Sequence, residues 1–395
     1  MEPLLRDGAV QVAVVASLAE IDPAAWDALD DKDNPFLKHA FLRLLERSGS
    51  VGPGTGWDPR YLVAREGERL LGAVPAYLRG DSYGEYVFDW SWAQAAARAG
   101  LPYYPKITVA VPFTPATGPR LLTLPGREDL RALLVKALDR SAEASRAHGV
   151  HVLLCRDDEA ALLEAHDYAR RATHQFHFRN PGYAAYDDFL AALRSSARKQ
   201  LRKERAKIEG VEISAHRGDE LSAAEWERVN ELYLHTSGRK WGRPYLTPAF
   251  FTLARESVGA SALVVCARQA GEMVAMSLSF VSRGAIYGRY WGSVVDVDSL
   301  HFELCYHRLV DHALANKMRL VEAGAQGEHK VKRGFLPVIT HSAHKLRYPG
   351  LFEAVARAVT AERQEAIDAL PQMAAVGPFR EDAVPKFPLV AGVDL

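Results

Sequence analysis

Apolar and polar positions alternate along the chain in short runs that break at glycine and resume, and the same succession occurs twice. Residues 61–90 read YLVAREGERLLGAVPAYLRGDSYGEYVFDW, and residues 264–291 read VVCARQAGEMVAMSLSFVSRGAIYGRYW. With Glu68 over Glu272, Arg79-Gly80 meets Arg283-Gly284, and Tyr83-Gly84-Glu85-Tyr86 meets Tyr287-Gly288-Arg289-Tyr290. That gives six identities in the nineteen positions from 68 to 86, where chance gives about one. In each copy a β-rich run (Tyr61–Arg65; Ala262–Ala267) turns at Gly67 or Gly271 into a second apolar run ending at Arg-Gly. An aromatic third run follows, so the pattern predicts a hairpin with an added strand. Strict alternation in the second copy predicts Tyr287, Arg289 and Trp291 on one face and Gly288 and Tyr290 on the other. Helical periodicity then covers Asp129–His148 and Ser299–Asn316, each followed by an apolar strand, Val150–Cys155 and Arg319–Glu322. Strands that lead into a helix and back into a strand predict an α/β layer, present twice. The first copy carries a proline- and aromatic-rich insertion from Ser91 to Thr123.

Between the copies, Phe189–Ile208 (FLAALRSSARKQLRKERAKI) reads as one helix. Leu190, Leu193, Ala197, Leu201 and Ile208 form its apolar stripe. Arg194, Arg198, Arg202 and Arg205 line up beside that stripe, Lys199, Lys203 and Lys207 extend the basic surface, and only Glu204 offsets them. The expected division is an N-terminal unit over 1–180, a C-terminal unit over 181–372 containing the basic helix 189–208, and a tail over 373–395.

Composition narrows the class. A chain of 395 residues, 48% hydrophobic and 25% charged, has the balance of a globular protein with two ordinary cores. Basic and acidic residues both number 49, so any polyanion site must be local. Three scattered cysteines without a CxxC pair predict reduced thiols. The start MEPLLRDG carries no signal-peptide pattern and no run approaches the length of a membrane span, so the expected location is the cytoplasm. GxSxG, Walker, dinucleotide GxGxxG and HExxH patterns are absent, which disfavours serine hydrolases, P-loop enzymes, Rossmann dehydrogenases and zincins.

The densest chemistry follows the strand at 319–322, in EAGAQGEHKVKRGF. Small residues at 323, 324, 325 and 327 let the backbone turn tightly and approach a ligand, and ligands of open α/β sheets lie beyond strand carboxyl ends. Here Glu328 and His329 can take a proton from an ammonium nucleophile, with Gly324, Gln326 and Gly327 as a backbone cradle. Lys330 and Arg333 can hold donor phosphates, joined by Arg198 and Arg202 of the basic helix. In the aromatic strand, Tyr290 is a candidate acid and Arg289 a candidate carboxylate or phosphate contact. His301, Cys305 and His312 share a helix flank, but nothing supplies a second ligand cluster, so no metal is expected.

The strings SSARKQLRKERAKI, YGRYWGS, LHFELCYHRLVDHAL, VEAGAQGEHKVKRGFLP and HSAH resemble the FemAB-like family of predicted N-acyltransferases within the GNAT superfamily. The resemblance runs from about residue 10 to 370. It implies two tandem GNAT-like units of mixed sheet flanked by helices, and acyl or aminoacyl transfer to a small-molecule or peptide amine. In that superfamily the donor sits where two central strands splay apart. FemAB relatives use aminoacyl-tRNA and extend peptidoglycan cross-bridges, so tRNA is an implied partner. The GNAT pyrophosphate loop Q/RxxGxG/A is replaced by WGSVVDVDSLHFEL, with only Gly292 in kind, which argues against acetyl-CoA held in the standard manner. The donor is thus left as aminoacyl-tRNA or acyl-CoA, with no tightly bound cofactor. The alternative is a non-catalytic RNA- or ligand-binding protein on the same duplicated scaffold.

Overall fold

The computed structural model describes residues 3–29, 34–240, 243–325, 327–387 and 389–392, and the backbone alone of Arg239, Lys240 and Glu328. The chain forms two compact units. The first comprises Met1–His174, Ile339–Asp368 and Val390–Asp394, and the second Gln175–Val338, Ala369–Leu389 and Leu395.

In the first unit, Val10–Val15, Tyr61–Glu66 and Arg69–Val74 pair successively antiparallel. After Pro75, Ala76–Arg79 pairs antiparallel with Lys106–Val109. That strand runs parallel to Gly149–Cys155, whose other edge takes residues 341–346 antiparallel. In the second unit, Glu212–Arg217, Ala262–Gln269, Glu272–Val281 and Ala285–Ser293 pair successively antiparallel. Ala285–Ser293 then runs parallel to Leu320–Glu322, and residues 177–179 close the order antiparallel. Each unit therefore repeats one succession: antiparallel pairs, a single parallel pair, then an antiparallel closing strand.

The repeat holds through the hairpin and then diverges from the sequence alignment. The pairing order makes Lys106–Val109 the counterpart of Ala285–Ser293, whereas Tyr83–Tyr86 belongs to no strand. The insertion thus begins at Gly80 rather than Ser91. The polar side chains of this stretch explain the difference, because they enclose a buried cation. Lys106 Nζ donates to Ser82 Oγ (2.8 Å), Glu85 Oε2 (2.9 Å) and Asp89 Oδ2 (2.5 Å). Arg79 bonds Glu85 at 3.4 Å and Asp81 at 3.0 Å. Charges removed from water must be paired in this way, and a strand over 83–86 would turn half of them outward.

Every position of Gly149–Cys155 is buried, as in a strand covered on both faces. Helix Arg131–Ala144 packs Leu134, Val135 and Leu138 into this core at 0% exposure. Each such side chain stabilises the fold by about 1.5–3 kcal/mol relative to exposure. In the second unit the predicted stripe of Leu190, Leu193 and Leu201 is buried, with Ala197 and Ile208 packed against the same core.

The predicted single helix over 189–208 is two helices, Tyr186–Ala191 and Ser195–Ala206. Residues 377–380 interrupt it by taking its backbone groups. Arg194 N–H donates to Pro378 O at 2.9 Å and Arg380 N–H to Ala192 O at 3.0 Å, which leaves Arg194 extended at ψ 148°. Among the described residues no helix is long and apolar enough to cross a membrane.

Candidate functional site

The second unit's parallel ladder is short. It pairs Ala285 with Leu320, Ile286 with Val321 and Tyr287 with Glu322, and there it stops. The strand continues through Ser293, paired on its other edge only, while the chain after Glu322 turns through Ala323 and Gly324 (φ +81°). At the divergence a Cβ on Gly288 would lie 3.3 Å from the Glu322 carbonyl oxygen and 3.4 Å from the Ala323 Cα. Two strands that part beyond three pairs leave an opening at their carboxyl ends.

Arg289 interrupts the alternation predicted for this strand. Leu278 pairs with Tyr290 but Ser279 pairs with Gly288, so Arg289 is the extra residue of a bulge. A bulge re-aims the side chains that follow it. Tyr290 therefore packs on Tyr233 of helix Ala223–Lys240, with ring centroids 5.1 Å apart. Trp291 contacts His301 at 5.3 Å, and Gly288 lies against Leu309, both on the side of the helix after Ser299. Gly288 and Tyr290 are thus on opposite faces, not on one.

That helix is also altered. Leu300–Phe302 and Arg308–Ala315 are α-helical, and Glu303–His307 between them is a π turn. Such turns displace side chains from the regular stripe and recur at functional sites. Tyr306 is buried, and its hydroxyl meets His329 Nε2 at 2.9 Å.

His329 and Lys330 come from the 3₁₀ turn Glu328–Arg333. Gly327 enters it at φ +116°, and a Cβ there would lie 2.5 Å from the His329 ring. Only glycine combines this backbone with that approach. Lys330 is 1% exposed, and its Nζ donates to Gly324 O at 2.7 Å. Burial pulls its pKa down to about 8, opposed by the neighbouring Cys305 and Glu322. Glu322 lies 3.7 Å from His177 Nε2, and burial holds His177 neutral, far below its ordinary pKa. His329 is also lowered, first by burial and then by Arg333 and Lys330, so it too is neutral at pH 7.

Gln326 lies outside the described residues, as does the side chain of Glu328. Arg333 is part of the framework. Its Nε and Nη2 bond both oxygens of Glu204 at 3.0 and 2.8 Å, and its Nη1 bonds His329 O at 2.8 Å. Its guanidinium also lies 3.4 Å over the Phe302 ring. Gly324, His329 and Lys330 are brought together as the sequence suggested; Tyr290 and Arg289 lie across the sheet from Trp291 and the helix that carries Tyr306. Sequence reasoning did not single out Tyr306 or His177. The available signals were a hydroxyl on an otherwise apolar helix stripe and a histidine inside an alternating apolar strand. Among the described residues, no three His, Cys, Asp or Glu side chains could hold a metal.

The sequence profile of the FemAB-like family, described as peptidoglycan biosynthesis/recognition, matches residues 17–381. The chain belongs to the FemAB-like family. Among solved structures it is similar to FemX (10% identity, TM-score 0.50), over 85% of this chain and 98% of that one. It is also similar to the C-terminal domain of a putative lysylphosphatidylglycerol synthetase from Agrobacterium fabrum (9% identity, TM-score 0.52, 87% and 97% covered). A conserved protein of unknown function from Bacteroides thetaiotaomicron matches at 11% identity and TM-score 0.50, over 85% and 100%. No curated protein matches the chain significantly in sequence. At these identities the likeness is one of fold alone, a mixed α/β architecture.

In this FemAB-like chain the basic helix keeps part of its charge for solvent. Arg205 pairs with Asp311 at 2.7 Å and Glu303 at 3.1 Å, Lys207 pairs with Asp298 at 2.5 Å, and Arg194 bonds Gly377 O. Lys199, Arg202 and Lys203 are exposed and Arg198 half-buried. Arg202 makes one 3.4 Å contact with an exposed Asp187. Glu204, expected to offset this ridge, instead points inward to Arg333.

Proposed function

We propose that this protein transfers an aminoacyl group from aminoacyl-tRNA to an amine of a peptidoglycan precursor, using the opening between Ala285–Ser293 and Leu320–Glu322. The observation that carries this reading is the placement of Lys330. A buried amine with a pKa of about 8 lies at the point where the two strands part, bonded to a backbone carbonyl. A group poised near neutrality is suited to proton transfer rather than to anchoring a phosphate, which calls for a lasting positive charge.

In the reaction the acceptor nitrogen bonds to the ester carbonyl carbon and the bond to the ribose oxygen breaks. One proton leaves the amine and one reaches the ribose oxygen, so none is consumed. Neutral Lys330 accepts the first. Burial raises the Tyr306 pKa, so its hydroxyl keeps its proton and in the proposed tautomer would donate to His329 Nε2. With that tautomer the ring proton of neutral His329 resides on Nδ1 and would hydrogen-bond the developing carbonyl oxyanion, while the proton taken up by Lys330 would pass to the leaving ribose oxygen. Gly324 and Gly327 would supply the backbone cradle. Arg198 and Arg202, with Lys199 and Lys203, would meet tRNA phosphates, which favours a tRNA donor over acyl-CoA.

The test supplies charged tRNA carrying a labelled amino acid and a precursor peptide with a free side-chain amine. The expected product is a labelled amide, with kcat lowered by about 10²–10⁴-fold in His329→Phe. Absence of the amide, or an unchanged kcat in that variant, would count against the assignment.

A further inference from the structure

The first unit contains the same sheet opening in a different condition. Lys106–Val109 runs parallel to Gly149–Cys155 through Ile107↔Val150, Thr108↔His151 and Val109↔Val152. Beyond the last pair, residues 110–122 are buried without exception. They take up the groups that a parted strand would leave unpaired. Gly118 N–H donates to Leu154 O at 3.2 Å, and Arg120 Nε donates to Leu153 O at 2.9 Å. The rest of the Arg120 guanidinium is spent on Pro119 O (3.0 Å) and Ala116 O (2.9 Å).

A buried carboxylate holds this segment from the other direction. Glu159, in the first turn of helix Asp157–Glu164, is 0% exposed. Its oxygens accept from the backbone N–H of Arg120 (2.8 Å), Leu121 (2.6 Å) and Arg156 (3.1 Å). An anion on amides beside a helix N-terminus is the arrangement by which a phosphate is ordinarily held; here the chain provides its own. In the second unit the stretch 288–291 and the turn 323–325 are partly exposed. The carbonyl just past that ladder, Gly324 O, is met by the Lys330 amine.

Resting on the aminoacyltransferase reading above, we infer that the donor loads only the second unit, because residues 110–121, pinned by Arg120 and Glu159, occupy the corresponding opening of the first. The duplicated unit is then a scaffold with a filled site rather than a second reaction centre.

Hydrogen exchange on the free full-length chain tests the filling without any donor. The amides of Arg120, Leu121 and Arg156 should be as protected as those at the centre of Gly149–Cys155. Exchange as fast as that of the partly exposed turn 323–325 would overturn the inference. The second measurement uses tRNA aminoacylated through a non-hydrolysable amide link. One equivalent per chain, with new protection over 288–291 and 323–325, is expected. Two equivalents, or protection gained over 110–121, would refute single-unit loading while leaving the transferase reading intact. If no tRNA binds, the transferase reading fails, and the exchange result still decides whether the first opening is filled.

Discussion

Replacing Lys330 by methionine separates what this residue does for chemistry from what it does to stability. Methionine keeps the length and apolar stem of lysine and removes the charge. The folded pKa of about 8 against a reference of 10.5 corresponds to about 3 kcal/mol at 1.36 kcal/mol per unit. The sign is set by which state holds the proton more tightly. Unfolded Lys330 binds its proton more strongly, so below pH 8 the folded state carries the full penalty of a buried ammonium. Stability should rise with pH between about 8 and 10.5 as the folded amine is released from its proton first. From pH 7 to pH 9 the gain from this one group is roughly 1 kcal/mol by the same linkage. Methionine lacks the titration, so its stability should not share that rise. The variant also leaves Gly324 O without its donor, at a cost of about 1–3 kcal/mol, so its stability at pH 7 should sit near that of the parent. Urea unfolding of both proteins at pH 7, 8 and 9 measures the difference between the two slopes. Transfer should be lost at every pH, whereas in the parent kcat/KM should rise through about pH 8 as the amine becomes neutral. Parallel stability curves would show that Lys330 is not held near 8, and the proton-transfer role would fall with it.

Two further outcomes follow from the surroundings. Arg333→Met removes one half of a buried ion pair and leaves Glu204 with Gln200 and His307 as partners, so unfolding in urea should show a loss of up to about 3 kcal/mol; a change in donor affinity alone, at unchanged stability, would return Arg333 to phosphate binding. Reversing Arg198 and Arg202 to glutamate should weaken tRNA binding at physiological salt and reduce the slope of log K against log salt by about 1 for each phosphate no longer neutralised, and an unchanged slope would make the helix a solvated face.

The two hairpins were legible because their signals are local: alternation, a glycine at each turn, a closing Arg-Gly. The equivalence of the third strands was not, because Tyr83-Gly84-Glu85-Tyr86 carries the letters of a strand while Glu85 is committed to Lys106 and Arg79 from elsewhere in the sequence. The bulge at Arg289 and the π turn at 303–307 escaped for a related reason. Each shifts register by one residue without changing composition, and together they decide that Tyr306 rather than Tyr290 meets His329. The sequence did place Gly324, His329 and Lys330 in one turn, since spacing within six residues survives almost any tertiary arrangement. What it did not reveal was burial, and burial sets the roles. Arg120 and Lys330 each donate to a carbonyl just past the last pair of a parallel ladder. The guanidinium cannot give up its proton at any physiological pH, so the opening it fills is fixed. The ammonium at Lys330, held near 8, can release its proton within the working range of an enzyme, and on the proposed reading that release is what would let the second unit's opening support chemistry.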